Sequence, residues 1–254
     1  MKIISLLAII ALYAMPAIAA EPDSRVYELR IDTAAPGKLD ALNTRFRDHA
    51  HALFEKHKIE NLGYWMPIEN TANQLIYVVS FPSREARRAA WEAFGEDPDW
   101  RKAKAASEKD GGLTSKEESL LMSATDYSPK IAPSQGTEER VFELRTYTTP
   151  PGRLEALHGR FRNHTVGLFA KHGMSNLFYW ALRPDQAGAD VTLIYLLAHQ
   201  SVDAAKASFT AFRADPEWIA AKAASEKAAG GSLTVDKDGV ESLFLKATDY
   251  SPTK

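Results

Sequence analysis

The chain has 254 residues, 45% hydrophobic and 25% charged, with no cysteine. These proportions suit one large or two ordinary globular domains. A formal net charge of −2 without a block of like charge excludes a generic nucleic-acid or anionic-membrane surface. The missing thiols exclude disulfides, an Fe–S cluster, a cysteine nucleophile and a lipid anchor on cysteine.

The first residues read as an address. Lys2 precedes a largely apolar run from Ile3 to Met15, and Ala17-Ile18-Ala19 supplies the small residues of a cleavage site. Residues 1–20 are therefore expected to be a signal peptide, with export to the periplasm or beyond. The competing reading is a retained anchor, for which the stretch is short against the ~20 residues of a membrane span.

Beyond it the chain repeats itself. Arg25-Val26-Tyr27-Glu28-Leu29-Arg30 returns as Arg140-Val141-Phe142-Glu143-Leu144-Arg145, and from Arg25 to Trp65, 23 of 41 positions are identical at an offset of 115. Asp97-Pro98-Asp99-Trp100 returns as Asp215-Pro216-Glu217-Trp218, and each copy closes on Thr-Asp-Tyr-Ser-Pro, at Thr125–Pro129 and Thr248–Pro252. A unit of this length is a domain, not a solenoid repeat. The boundaries are placed at 21–130 and 131–254, with the polar stretch Lys130 to Glu138 as linker.

Within the first copy, Val26 to Thr33 alternates as a strand, and Pro36-Gly37 breaks it. Leu39, Leu42, Phe46, Ala50 and Leu53 recur at helical spacing to about residue 57. Asn61–Met66 and Leu75–Phe81 read as strands. Ser83 caps a helix running to Phe94, and Asp97-Pro98 starts another that ends near Gly111-Gly112. Ser119–Ala124 supplies the last strand. The order β-α-β-β-α-α-β predicts an α+β domain, an antiparallel sheet with helices on one face. The second copy is expected to cover the other face, sheet against sheet, as an intrachain pseudo-dimer, with closure into a barrel as one form of it.

The Val-Tyr-Glu-Leu-Arg opening, the Pro-Gly turn, the helix with Phe46, His49, Leu53, Phe54 and His57, and the Tyr64-Trp65 strand together resemble the NIPSNAP family, twice over. The resemblance implies tandem ferredoxin-like domains of the dimeric α/β-barrel type. It implies no reaction. The wider barrel superfamily includes small monooxygenases and haem-handling enzymes, and eukaryotic NIPSNAP members are associated with recruiting protein partners.

The candidate chemistry is sparse. His49 and His164 lie seven residues after Leu42 and Leu157, on the apolar helix face, where a histidine acts as base, as haem ligand or as a hydrogen-bonded core residue. His57 and His172, near the helix end, suit capping of its negative pole. Eight helical residues separate His49 from His57 by ~12 Å, too far for one metal, and no metal site is expected. Glu28, Arg30, Glu143 and Arg145 alternate with apolar neighbours. They are expected between the two sheets, as ion pairs or as ligand contacts, with Arg45, Arg47, Arg160 and Arg162 as further anion contacts or solvated flank. Tyr64, Trp65, Tyr179 and Trp180 are candidates to line a ligand cavity or to pack the core. No phosphate loop or nucleophile elbow appears. The sequence thus favours a cofactor-free envelope module that binds a small molecule or a protein. The alternative is a cofactor-free or haem-dependent oxidoreductase using the barrel interior.

Overall fold

The computed structural model describes residues 24–136 and 139–254. The signal segment, and the linker residues Thr137 and Glu138, lie outside the described residues.

Each repeat has the expected order. In the first, β1 (Val26–Ala34) leads through Gly37, which holds a left-handed turn (φ +73°), into α1 (Leu39–Arg45). A π-helical turn (Phe46–Ala50) joins α1 to α2 (His51–Lys56). Then come β2 (Glu60–Pro67), β3 (Gln74–Phe81), α3 (Arg84–Glu96), α4 (Pro98–Ser107) and β4 (Thr114–Ala124). The second repeat runs β5 (Val141–Thr148), α5 (Leu154–Arg160), a π-helical turn (Phe161–Thr165), α6 (Val166–Lys171), β6 (Ser175–Leu182), β7 (Thr192–His199), α7 (Val202–Ala214), α8 (Pro216–Ala228) and β8 (Val240–Ala247).

The predicted caps are in place. Ser83 Oγ accepts from the Ala86 N–H at 3.1 Å, and Asp97 Oδ1 from the Asp99 N–H at 2.8 Å, ahead of Pro98. These bonds satisfy helix-start donors that would otherwise lack partners. In the long helix Leu42, Phe46, Ala50 and Phe54 are buried, a stripe at every fourth residue. Such a stripe drifts around a helix of 3.6 residues per turn. The wider π-helical turn takes up the drift and keeps all four side chains on the sheet.

All strand pairs are antiparallel, and the order is β1-β3-β2-β8-β5-β7-β6-β4, a closed barrel. Within a repeat the order is β4-β1-β3-β2. Two seams join the repeats: β2 pairs with β8 (Trp65 opposite Ala247) and β4 with β6 (Ala124 opposite Trp180). Each seam is three residue pairs long, and together they close the sheet on itself.

One apolar cluster fills the barrel. Tyr27, Leu29, Trp65, Ile76, Val78 and Met122 of the first repeat meet Phe142, Leu144, Trp180, Ile194, Leu196 and Leu245 of the second. The aromatics cross between repeats: Trp65 lies 5.7 Å from Phe142, and Trp180 lies 6.2 Å from Tyr27, ring centre to ring centre. Two further clusters, one per repeat, lie between the outer sheet face and the helices. Both faces of the sheet are therefore buried. Burying one large apolar side chain contributes about 1.5–3 kcal/mol, so three such cores make up for the absent disulfides.

The closing motifs act across the repeats. The Thr248 N–H donates to the Tyr64 carbonyl (2.9 Å), the Tyr64 N–H to Ser251 Oγ (2.9 Å), and Tyr250 Oη to Asn43 Oδ1 (2.9 Å). In the other direction the Thr125 N–H donates to the Tyr179 carbonyl (3.0 Å) and the Tyr179 N–H to Ser128 Oγ (3.1 Å). Each repeat thus ends by extending the seam onto its twin.

Candidate functional site

The two repeats carry the same polar stripe along their first strands, and the structure corrects where it points. Glu28 and Arg30, with Glu143 and Arg145, face the helices and not the space inside the barrel. Tyr27, Leu29 and Ile31 take the barrel side. The reason is partner supply. Glu28 is fully buried, and α3 reaches it with Arg87 Nε (2.7 Å), Arg87 Nη2 (2.8 Å) and Trp91 Nε1 (2.9 Å), while Ser119 Oγ adds a bond at 2.6 Å. A carboxylate in the apolar barrel would have none of these. Burial pushes its pKa up, but the bonds from Arg87, Ser119 and Trp91 outweigh it and hold Glu28 below the ordinary glutamate range. In the second repeat Ala205 and Phe209 replace Arg87 and Trp91, and Glu143 is held instead by His199 Nε2 (3.0 Å), Arg145 and Ser242.

The aromatic candidates divide. Trp65 and Trp180 face the barrel, and both indole N–H groups are buried without a hydrogen-bond partner. Tyr64 and Tyr179 face the helices, bonded to Asn61 and Asn176 and stacked on Tyr77 and Tyr195. His49 and His164 are exposed, which corrects their expected place on the buried helix face. In an uninterrupted α-helix they would sit two turns from Leu42 and Leu157. The π-helical turn rotates them to the solvent side. His57 and His172 tie the end of the long helix to the next-but-one helix start, through Asp97 (2.7 Å) and Asp215 (2.7 Å).

The polar groups that do converge lie under the helices of the first repeat. A cavity of about 210 Å3 opens between β1, β3, β4 and α1–α4. Its walls are aromatic: Phe46, Phe54, Tyr77, Trp91, Phe94 and Trp100. Its polar groups are Arg30, Asp32, Arg45, Lys104, Glu108, Thr114 and Glu117. Arg30 lies over the rings of Trp91 (5.3 Å) and Tyr77 (5.9 Å), and Arg45 over Trp100 (5.2 Å). Glu108 pairs with Arg45 at 2.6 Å, and Glu117 with Arg30 at 3.2 Å.

Asp32 is the distinctive member. It is 3% exposed, Tyr77 Oη donates to its Oδ2 at 3.3 Å, and its Oδ1 accepts no hydrogen bond, Arg30 standing 4.0 Å away. Burial pushes its carboxyl up to about 6, with Arg30 pulling the other way. A buried acceptor without a donor is costly, and such perturbed groups gather at functional sites. Larger hollows exist, such as one of about 440 Å3 beside Asp40, Asn43, Arg47 and Asp249, but they are more open than this cavity.

Asp32, Tyr77 and Trp91 were not singled out from the sequence. The signal was available: within otherwise matching first strands, Asp32 in one repeat stands against Tyr147 in the other. No histidine lines the cavity, so it offers haem no imidazole. Among the described residues no cluster of three or more His, Asp and Glu is placed to hold a metal ion, and no helix is long and apolar enough to cross a membrane.

The fold and the duplicated stripe define a class: a two-repeat α+β chain closed into one antiparallel barrel. The chain belongs to the NIPSNAP family, whose model matches residues 27–129 and 142–252. Two solved structures of candidate monooxygenases share the whole barrel. The one from Fusobacterium nucleatum has 9% identity and a TM-score of 0.55, covering 88% of this chain and 92% of that one. The one from Lactobacillus acidophilus has 8% identity and a TM-score of 0.53, covering 88% and 94%. A NIPSNAP family protein from Agrobacterium tumefaciens matches 42% of this chain and 98% of its own at 21% identity, with a TM-score of 0.38. Among curated proteins no significant match was found.

Proposed function

We propose that this NIPSNAP protein is a small-molecule-binding protein of the cell envelope, and that its ligand sits in the cavity under the helices of the first repeat. The observation that carries the reading is the Oδ1 of buried Asp32, which accepts no hydrogen bond and has only the Arg30 guanidinium at 4.0 Å, in an aromatic-walled cavity. An apolar enclosure with few convergent polar groups is how small-molecule sites are built. The barrel interior is a poorer candidate, because its lining is apolar and Glu28, Arg30 and Tyr64 face away from it. Export rests on the sequence pattern of residues 1–20, with a mature chain starting at Glu21.

A second reading, an oxidoreductase, draws on the candidate monooxygenases with the same barrel. In this chain it would use the same cavity, with Asp32 taking a proton from the substrate and Arg30 facing the resulting charge.

Native mass spectrometry of the protein purified from its own envelope tests the binding reading. A co-purified small molecule that is lost in Asp32→Leu is the expected result. A bare polypeptide mass, with no thermal shift from any member of a small-molecule library, would sink it and direct the search to protein partners.

A further inference from the structure

The second repeat shows what the first repeat's cavity is shaped to receive. Tyr147 stands where Asp32 stands in the first copy. Its phenol ring packs edge-on against Phe161 (5.6 Å between centres, 85°) and Tyr195 (5.4 Å, 61°). Arg145 lies over that ring at 5.6 Å, and its Nη2 donates to the Tyr147 hydroxyl at 3.4 Å. The residues equivalent to Phe161, Tyr195 and Arg145 are Phe46, Tyr77 and Arg30, and all three line the cavity of the first repeat. The walls that hold a phenol in one copy are thus retained in the other, where no side chain brings the ring. What replaces it is a short carboxylate with one oxygen that accepts no hydrogen bond.

From this we infer that the first repeat binds a flat hydroxylated aromatic compound, one per chain. Its ring lies between Phe46, Tyr77 and Arg30, and its hydroxyl donates to Asp32 Oδ1. Tyr147 is the built-in counterpart that closes the second repeat. The inference rests on reading the cavity as a ligand site and adds the ligand's chemistry and the stoichiometry. An aliphatic ligand would lose the ring stacking and the cation–π contact. An aromatic without a hydroxyl would leave Asp32 unsatisfied. A cationic one would meet Arg30 and Arg45.

Fluorine NMR on the full chain, with para-fluorophenol and fluorobenzene as probes, tests it. Para-fluorophenol is expected to bind in one copy and about tenfold more tightly than fluorobenzene, the usual worth of a hydrogen bond to a charged group. Asp32→Tyr, which installs the second repeat's phenol, is expected to abolish binding of both probes. Tyr147→Asp is expected to add a second site. Equal binding of the two probes, both displaced by Asp32→Tyr, would overturn the hydroxyl assignment and leave the cavity as a ligand site. Binding unchanged by Asp32→Tyr, or no binding of either probe, would overturn the inference outright. The comparison of the two probes on the unaltered protein needs no variant to fold.

Discussion

Arg47 grips Asp249 across the repeat boundary with two parallel bonds, Nε to Oδ2 at 2.7 Å and Nη2 to Oδ1 at 2.6 Å. Arg162 and Asp126 repeat the grip in the other direction, at 2.6 and 2.8 Å. The Asp is the second residue of the Thr-Asp-Tyr-Ser-Pro motif both times, and the neighbouring Tyr250 and Tyr127 rings lie under the same guanidinium groups. The motif is therefore a reciprocal clasp that holds two similar domains in one barrel.

The visible ion pair is not where the clasp's stability resides. Both side chains of the Arg47–Asp249 pair are largely exposed, so Asp249→Ala is expected to cost at most about 1 kcal/mol. Ser251 is buried, accepts from the Tyr64 N–H and donates to the Thr253 carbonyl at 2.7 Å. Ser251→Ala strands both partners and is expected to cost about 1–3 kcal/mol. Urea denaturation of the two variants checks the order. A larger loss from Asp249→Ala would reverse this account.

Stability should fall in acid through Asp97 and Asp215. Lys56 and His57 hold the Asp97 carboxyl well below the usual aspartate range, and Lys171 and His172 do the same for Asp215. A depressed carboxylate stabilises the fold above its unfolded pKa of about 4, and the contribution is lost as pH falls below that. Asn keeps the N-cap and removes the charge. Asp97→Asn and Asp215→Asn are therefore expected to flatten the acid limb of a plot of Tm against pH, while leaving the helix starts intact.

Asp32 should act in the opposite direction. Its folded pKa, raised to about 6 by burial, lies above the unfolded value. The fold is thus favoured below about pH 4, and that preference is lost as pH rises through about 6. The groups facing it are Arg30 on its own strand, Tyr77 on β3, Glu117 on β4 and Arg45 on α1. Asp32→Asn is expected to raise stability at pH 8 by roughly 1–3 kcal/mol and to remove the slope between pH 4 and 7. A ligand-free protein whose stability does not change over that interval would refute the burial account.

The barrel interior tolerates little. The Trp65 ring lies over Gly63, so close that an added Cβ would stand 2.2 Å from it. In the second repeat Phe178 occupies the Gly63 position and packs 5.2 Å from Trp180 instead. Gly63→Ala must push Trp65 off its seat and is expected to cost about 1–3 kcal/mol. Trp65→Ala, which empties the space between the repeats, should cost about 3–5 kcal/mol. Calorimetry on the two variants distinguishes this packing from a loose interior, for which both losses would be small.

The sequence by itself determined the duplication, the order of strands and helices, and the caps at Ser83 and Asp97, because these depend on repeated residues and on chemistry within a few positions of the chain. It also suggested that a second sheet would cover the first. It did not determine which way Glu28 and Arg30 point. When both faces of a strand are buried, alternation marks two faces without saying which one meets solvent or helix. The choice was made by Arg87 and Trp91, which approach Glu28 from α3 some sixty residues away. His49 moved to the surface because a π-helical turn shifts the residues after it around the helix. Its one mark in the sequence is the unbroken four-residue spacing of Leu42, Phe46, Ala50 and Phe54, which an α-helix reading does not distinguish from its own mixed three- and four-residue spacing. The cavity itself is a tertiary fact. Asp32 is shorter than Tyr147 within walls of which Phe46, Tyr77 and Arg30 recur as Phe161, Tyr195 and Arg145 while Trp91 gives way to Phe209, and only folding brings these side chains around one space.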